Sequence, residues 1–280
     1  MLYNDINLIE CPRDAIQGIN HFIDTRKKAQ YINKLIYSNL FEYIDFGAFV
    51  SEKYVPQMKD TIQLVEQINK VNNTKLLSIV ANVKGAKIAV DFDKIDYLGY
   101  PFSISETFQQ RNTNSSIDES FQRVQDIYEI SNKHNKQLIV YISMAFGNPY
   151  GDIWNTDIVL NWIYKLSKIG IKRFSLADTT SEANEYQIKE LFSLINRQFP
   201  YINFNLHLHS RVESAELKIN AAYESGCRCF EGAFLGYGGC PFAKDELIGN
   251  IPMELLLEKF NKSNLSKHLF LMTDFQDLIS

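Results

Sequence analysis

Cysteine is scarce in this chain: 280 residues hold four, Cys11, Cys227, Cys229 and Cys240, and no CxxC pair. That excludes a disulfide framework and leaves reduced thiols as the expectation. A basic excess is also missing. With 29 Lys and Arg against 33 Asp and Glu, the formal net charge is −4, so no general surplus of cations exists to neutralise phosphates, and a nucleic-acid partner is not expected. No run approaches the roughly 20 apolar residues of a membrane span. The opening MLYNDINLIECPRD lacks a basic segment followed by an apolar one, so the expectation is a cytoplasmic protein with no membrane partner. Gly/Pro/Ser-rich linkers and low-complexity segments are absent too, which argues against a division into several domains.

What remains is a chain with 45% hydrophobic residues, enough to bury a large core. Apolar runs of strand length fall at 6–12, 42–49, 75–81, 97–104, 137–145, 172–177, 203–209 and 228–235. Helical patterns alternate with them at 26–38, 55–70, 84–91, 117–134, 156–169, 184–197, 214–225 and 251–260. Ser116 and Glu119 have the spacing of a capping box, and Gly170 and Gly226 stand just past helix ends. Eight βα units without a linker predict an α/β fold, a TIM (β/α)8 barrel. It forms one domain over 1–280, with a core at about 5–260 and a short tail at 261–280. A doubly wound open sheet is the structural alternative, but no GxGxxG follows the first strand.

Polar residues recur where such strands end. Arg13 and Asp14 follow strand 1, Asp45 lies on strand 2, Asn82 follows strand 3, and Ser105 and Glu106 follow strand 4. Asn148 follows strand 5, Asp178 ends strand 6, and His207 and His209 end strand 7. Barrel chemistry gathers at the C-terminal ends of the strands. Carboxylates and imidazoles embedded in apolar strands need partners or a metal. In NLHLHS (205–210) the two histidines sit at i and i+2, on one strand face, where two neutral imidazoles can hold a divalent metal. Hydrogen-bonded core histidines are the alternative at this point.

The segments ECPRDAIQG (10–18), YIDFGAFVSEKYVPQM (43–58), LADTT (176–180), HLH (207–209) and GYGGCPFAKDELIGN (236–250) together resemble 3-hydroxy-3-methylglutaryl-CoA (HMG-CoA) lyases in order and spacing. The resemblance covers about residues 5 to 260. It implies a TIM-barrel enzyme that cleaves HMG-CoA to acetyl-CoA and acetoacetate with a divalent cation, usually Mg²⁺ or Mn²⁺. By the same resemblance the metal ligands fall on Asp14, His207, His209 and Asn250. A carboxylate and an amide oxygen suit a hard cation, and two imidazoles leave Zn²⁺ open as well.

The resemblance also places Arg13 at the thioester carbonyl. There a fixed positive charge would stabilise the enolate left by C2–C3 cleavage more than the ground state. Gln17 matches an active-site position that binds substrate or the metal shell. Asp45 and Asp178 match acidic positions near the C3 hydroxyl, one of which would take its proton. Cys240 matches the cysteine of a mobile glycine-rich loop, an acid that helps protonate the enolate, and Gly236, Gly238 and Gly239 free that loop to close. RNTNSS (111–116), with Asn112 as a substrate-binding position, matches a segment beside the acyl-CoA site, and Lys53, Lys84 and Arg111 could meet its phosphates. Cys11, Cys227 and Cys229 read as packing residues.

Three departures stand out: Asp at position 45 where Glu is usual, Ser210 and Arg211 where Asp-Thr commonly follows HxH, and one extra residue before Gly249 and Asn250. Rival readings are a Claisen-type synthase of the isopropylmalate or citramalate group and a non-catalytic metal- or CoA-binding barrel. The expected partners are an acyl-CoA substrate and a second copy of the chain in a homo-oligomer, a dimer.

Overall fold

The computed structural model describes residues 5–239, 248–262 and 265–280. Eight strands close in sequence order, all parallel, into a barrel in which β8 pairs with β1. They are β1 (Asn7–Glu10), β2 (Tyr43–Phe49), β3 (Lys75–Val80), β4 (Tyr97–Ser103), β5 (Gln137–Ser143), β6 (Arg173–Asp178), β7 (Asn203–Leu208) and β8 (Cys229–Gly232). The outer helices begin with α1 (Pro12–Ile16), α2 (Thr25–Ser38), α3 (Thr61–Gln67), α4 (Val83–Ala89), α5 (Glu106–Thr113) and α6 (Ile117–Lys133). They continue with α7 (Thr156–Ile169), α8 (Glu185–Gln198), α9 (Val212–Glu224), α10 (Met253–Lys259) and α11 (Leu265–Ile279). The TIM barrel expected from the alternation is the observed fold. No helix among the described residues is long and apolar enough to cross a membrane.

The two-residue period of the strands divides the core in two. Ile9, Cys11, Tyr43, Leu77, Tyr97, Ile139, Tyr141 and Cys229 point into the barrel and form its inner cluster. The alternate residues, such as Ile44, Leu98, Val140, Phe174 and Leu206, pack outward under the helices. Gly99 makes room inside: a Cβ there would stand 2.5 Å from Ile79 Cδ1 and 3.1 Å from the Tyr141 ring, far inside contact distance. Cys11, Cys227 and Cys229 are buried free thiols, which agrees with their reading as packing residues.

Strand β2 breaks its own alternation. Its register against β3 shifts between Asp45 and Gly47, the extra residue of a bulge. Tyr43 and Asp45 therefore face inward before it, and Ala48 and Val50 face the cavity after it. The segment expected as one helix over 55–70 is a 3₁₀ turn at Pro56–Met58 followed by α3. The turn is anchored by the Gln57 side chain, which donates to Ile19 O at 3.0 Å and accepts from Ile23 N–H at 3.2 Å. The Ser116–Glu119 capping box forms as expected, and Gly170 ends α7 at φ 115°.

Residues 261–280 are more than a tail. Helix α11 packs on α2 and α10, with Phe275 fully buried and its ring 5.6 Å from Tyr31 and 5.5 Å from Tyr237. The C-terminal helix thus supports the start of the glycine-rich segment.

Candidate active site

A cavity of about 610 Å³ opens at the C-terminal end of the barrel, and Arg13, Asp14, Gln17, Tyr141, His207 and His209 line it. Pro12 opens α1 immediately after β1, where a missing N–H costs nothing, and so turns Arg13 and Asp14 over the barrel rim. Both are largely buried, with side chains 11% and 7% exposed.

The Arg13 guanidinium is held from two sides. Its Nε and Nη2 donate to the Asp45 carboxylate, the latter at 2.5 Å. Its Nη1 donates to Asp14 Oδ1 and to Gln17 Oε1, each at 3.0 Å. Gln17 Nε2 in turn donates to Asp14 Oδ1 at 2.8 Å and to Gly239 O at 3.3 Å. Burial opposes the charge on Arg13, but Asp45 and Asp14 outweigh it and hold the guanidinium firmly protonated. Burial pushes Asp45 up to about 6 in spite of Arg13 beside it. Burial also opposes ionisation of Asp14, yet Arg13, His207 and His209 together hold its carboxyl well below the usual range.

Asp14, His207 and His209 each place a donor atom within 4.8 Å of the others. All three are buried, and the imidazole rings meet at 83° with centroids 5.0 Å apart. Asn250 is brought in from the far side by its bridge to His209. Its amide Nδ2 donates to Asp14 Oδ2 at 2.7 Å and to Tyr237 O at 2.8 Å, while its Oδ1 is buried with no hydrogen-bond partner. An orphaned buried carbonyl oxygen beside a carboxylate and two imidazoles is costly unless something positive sits there. The donor set fits a divalent cation: two hard oxygens and two borderline nitrogens suit Mg²⁺, Mn²⁺ or Zn²⁺.

The residue that sequence reasoning missed is Glu231 on β8. It is 1% exposed and lies beneath the site, where His207 Nδ1 meets its Oε2 at 3.0 Å. Ser175 Oγ and Asn205 Nδ2 donate to its Oε1 at 2.7 and 3.2 Å. A carboxylate on Nδ1 fixes the tautomer and leaves Nε2 free for a metal. Burial lowers the pKa of His207, but Glu231 outweighs it and the net shift is upward. His209 has no such partner: burial and the neighbouring His207 push it down to about 4. The Tyr141 hydroxyl was also missed. It is buried in the cavity wall without a partner, a polar group available to a ligand.

The other expected residues divide by strand parity. Asp45 reaches the site, but its carboxylate lies behind Arg13 rather than on the cavity wall. Asp178 is not brought to the cavity at all. On β6 the inward residues are Ser175 and Ala177, so Asp178 shares the outward face of Phe174 and Leu176. There it accepts Glu182 N–H at 2.7 Å, Ala183 N–H at 3.1 Å and Lys218 Nζ at 3.2 Å. Asn112, Arg111 and Asn82 line the cavity mouth with Asn114 and Arg123, whereas Lys53 and Lys84 do not. Ser105 and Asn148 serve local structure, as a helix cap and a turn acceptor. Cys240 lies outside the described residues.

Fold and site together define a (β/α)8 enzyme with a buried cluster of metal-type donors at the C-terminal mouth. Comparison with known proteins narrows the class: residues 7–279 match the HMGL-like family. The chain is 30% identical over 236 residues to hydroxymethylglutaryl-CoA lyase YngG of Bacillus subtilis, across 83% of this chain and 77% of that protein. It is 29% identical over 259 residues to a 3-hydroxy-3-isohexenylglutaryl-CoA/hydroxymethylglutaryl-CoA lyase of Pseudomonas aeruginosa, across 91% and 85%. Among solved structures, an HMG-CoA lyase from Acinetobacter baumannii in complex with coenzyme A and 3-methylmalate superposes with a TM-score of 0.90 at 28% identity, covering 100% of this chain and 93% of that one. The chain belongs to the HMGL-like family, as a carbon–carbon lyase of the hydroxymethylglutaryl-CoA lyase type.

Proposed function

We propose that this lyase cleaves HMG-CoA to acetyl-CoA and acetoacetate by a retro-Claisen reaction that needs Mg²⁺ or Mn²⁺, with Zn²⁺ as a third fit. The observation that carries this is the convergence of Asp14, His207, His209 and the orphaned Asn250 oxygen on one side of Arg13, at the inner end of a cavity large enough for an acyl chain. Those four residues would hold the cation, which when bound polarises substrate oxygens and lowers the pKa of the C3 hydroxyl.

The protein's own part is positional and electrostatic. Arg13, clamped by Asp45, Asp14 and Gln17, presents a fixed positive charge to the thioester oxygen, on which negative charge grows as C2–C3 breaks. Asp45, buried behind Arg13 and off the cavity wall, serves the reaction by holding that guanidinium in place. Asp178, turned outward and saturated with donors, takes no part. Tyr141, Gln17 and Asn112 provide polar contacts to the acyl portion, and Arg111, Asn114 and Arg123 at the mouth suit the phosphates and amides of a CoA tail. Protonation of the released C2 falls to Cys240 by the resemblance noted above.

The test is direct. Purified protein given HMG-CoA should release acetoacetate with Mg²⁺ or Mn²⁺, stop with EDTA and resume when the ion is returned. Full activity in chelator overturns the metal requirement. Condensation of acetyl-CoA with a keto acid and no cleavage favours the synthase, and HMG-CoA binding without turnover favours the non-catalytic barrel.

A further inference from the structure

The two histidines of HLH are held in different ways, and the difference leads outside the barrel. His207 is oriented through its ring by Glu231. The His209 ring meets no carboxylate: only the backbone of Ile248 and Gly249 approaches it, without a well-formed bond to Nδ1, and the Ser210 hydroxyl is turned to Arg211 O at 2.9 Å and to Ser214 Oγ at 3.0 Å. His209 is held in addition through its own main chain. Its N–H donates to Asp178 O at 3.3 Å, and the neighbouring Ser210 N and Ile251 N bonds tie β7 to the 249–251 segment. Its carbonyl oxygen faces a buried ammonium, Lys218 Nζ, at 3.5 Å.

Lys218 is an unusual residue to find there. It lies on α9, 5% exposed, and a lysine is seldom buried without strong partners. Its Nζ meets Asp178 Oδ2 at 3.2 Å and Ser181 Oγ at 3.1 Å in addition to the His209 carbonyl. Three contacts bring the end of β6, the turn after it and the end of β7 onto one cation. Asp178 closes the loop, since its carboxylate pairs with Lys218 while its carbonyl accepts the His209 N–H.

We propose that Lys218 is a positioning residue for the metal site. It fixes His209 through the main chain, with Asp178 as its counter-ion, in place of a carboxylate acting on the imidazole ring. The inference rests on the metal-site reading of Asp14, His207, His209 and Asn250. It also gives Asp178 a role without contact to substrate, behind the ligand instead of beside the hydroxyl.

Lys218→Met alone leaves the Asp178 charge buried without its cation, so loss of fold would obscure the result. The informative variant is the double substitution Asp178→Asn/Lys218→Met, which removes both charges and keeps one acceptor oxygen, enough for the shorter of the two bonds from the Glu182 and Ala183 amides. Two quantities are read: the melting temperature without metal, and the Mn²⁺ dissociation constant from the electron paramagnetic resonance signal of free Mn²⁺. The expected result is a melting temperature near that of wild type with Mn²⁺ affinity weakened about tenfold, the scale of losing a group that orients a ligand. A double variant that binds Mn²⁺ as tightly as wild type overturns the proposal and makes the pair a helix-packing contact. If wild type binds no Mn²⁺, the metal-site reading fails and takes this inference with it. Wild-type binding that His209→Ala abolishes, but the double variant leaves intact, overturns the Lys218 role alone.

Discussion

Replacing Glu231 by Gln exchanges one carboxylate oxygen for an NH₂ and removes the charge at almost constant volume. The native carboxylate accepts from Ser175, Asn205 and His207 and lies 3.8 Å from the Cys11 thiol, so an acceptor-only group is met by donors on every side. A glutamine has one acceptor oxygen and an NH₂. If that oxygen stays with Ser175 and Asn205, the NH₂ faces His207 Nδ1. Two donors then oppose each other unless His207 moves its proton to Nε2, the nitrogen a cation needs. The lost charge-assisted bond amounts to about 1.5–3 kcal/mol, which is about 10- to 150-fold in a dissociation constant. Mn²⁺ titration of Glu231→Gln, followed by the signal of free Mn²⁺, should show a loss in that range, with circular dichroism confirming an intact barrel. An affinity within about twofold of wild type would falsify the assignment of Glu231 as the orienter of His207.

Two further outcomes follow from named contacts. Gly238 sits at φ +122°, and a Cβ there would overlap the Asn250 amide and stand 2.8 Å from Asp14 Oδ2. Gly238→Ala should therefore cost about 1–2 kcal/mol in chemical denaturation and weaken Mn²⁺ binding about tenfold or more; unchanged Mn²⁺ affinity would show that the loop is not seated on the site. Asp45, pushed up to about 6, works as its anion, which clamps Arg13. Cleavage measured as kcat/KM should accordingly fall as pH drops through about 6, and the residual activity of Asp45→Asn should be flat between about pH 5 and 7; an identical acid limb in the variant assigns that ionisation elsewhere.

The strands and the barrel were legible because parallel strands buried on both faces read as apolar runs, and the helices between them carry a different period. The charged residues at strand ends were legible as a set, but their direction depends on parity, and parity had to be applied residue by residue. In RFSLAD the outward positions are the large apolar ones, Phe174 and Leu176, so Asp178 belongs to their face; the alternation to see this was present in six residues. Glu231 could have been found the same way. It shares the inward face of Cys229, and a glutamate inside a barrel has to meet donors. Asp45 was harder, since a bulge between Asp45 and Gly47 resets the alternation of β2, and no residue pattern announces it. Helix α11 departs from the expected tail because LFLMTDFQDLI carries the apolar spacing that places Leu271, Phe275 and Leu278 in the core.

The two histidines mark where local reasoning ends. His207 and His209 are equivalent by spacing, by face and by burial. What separates them lies 24 residues downstream in one case, at Glu231, and across a helix in the other, at Lys218. Only the closed barrel, which sets β8 beside β7 and lets Lys218 of α9 reach the ends of β6 and β7, brings those partners together. One imidazole is thereby fixed through its ring by a carboxylate inside the barrel, and the other through its backbone by a cation outside. The site is consequently coupled to both layers of the fold. A substitution in the helical shell, at a residue that does not line the cavity, can therefore reach the metal position through the main chain of a ligand.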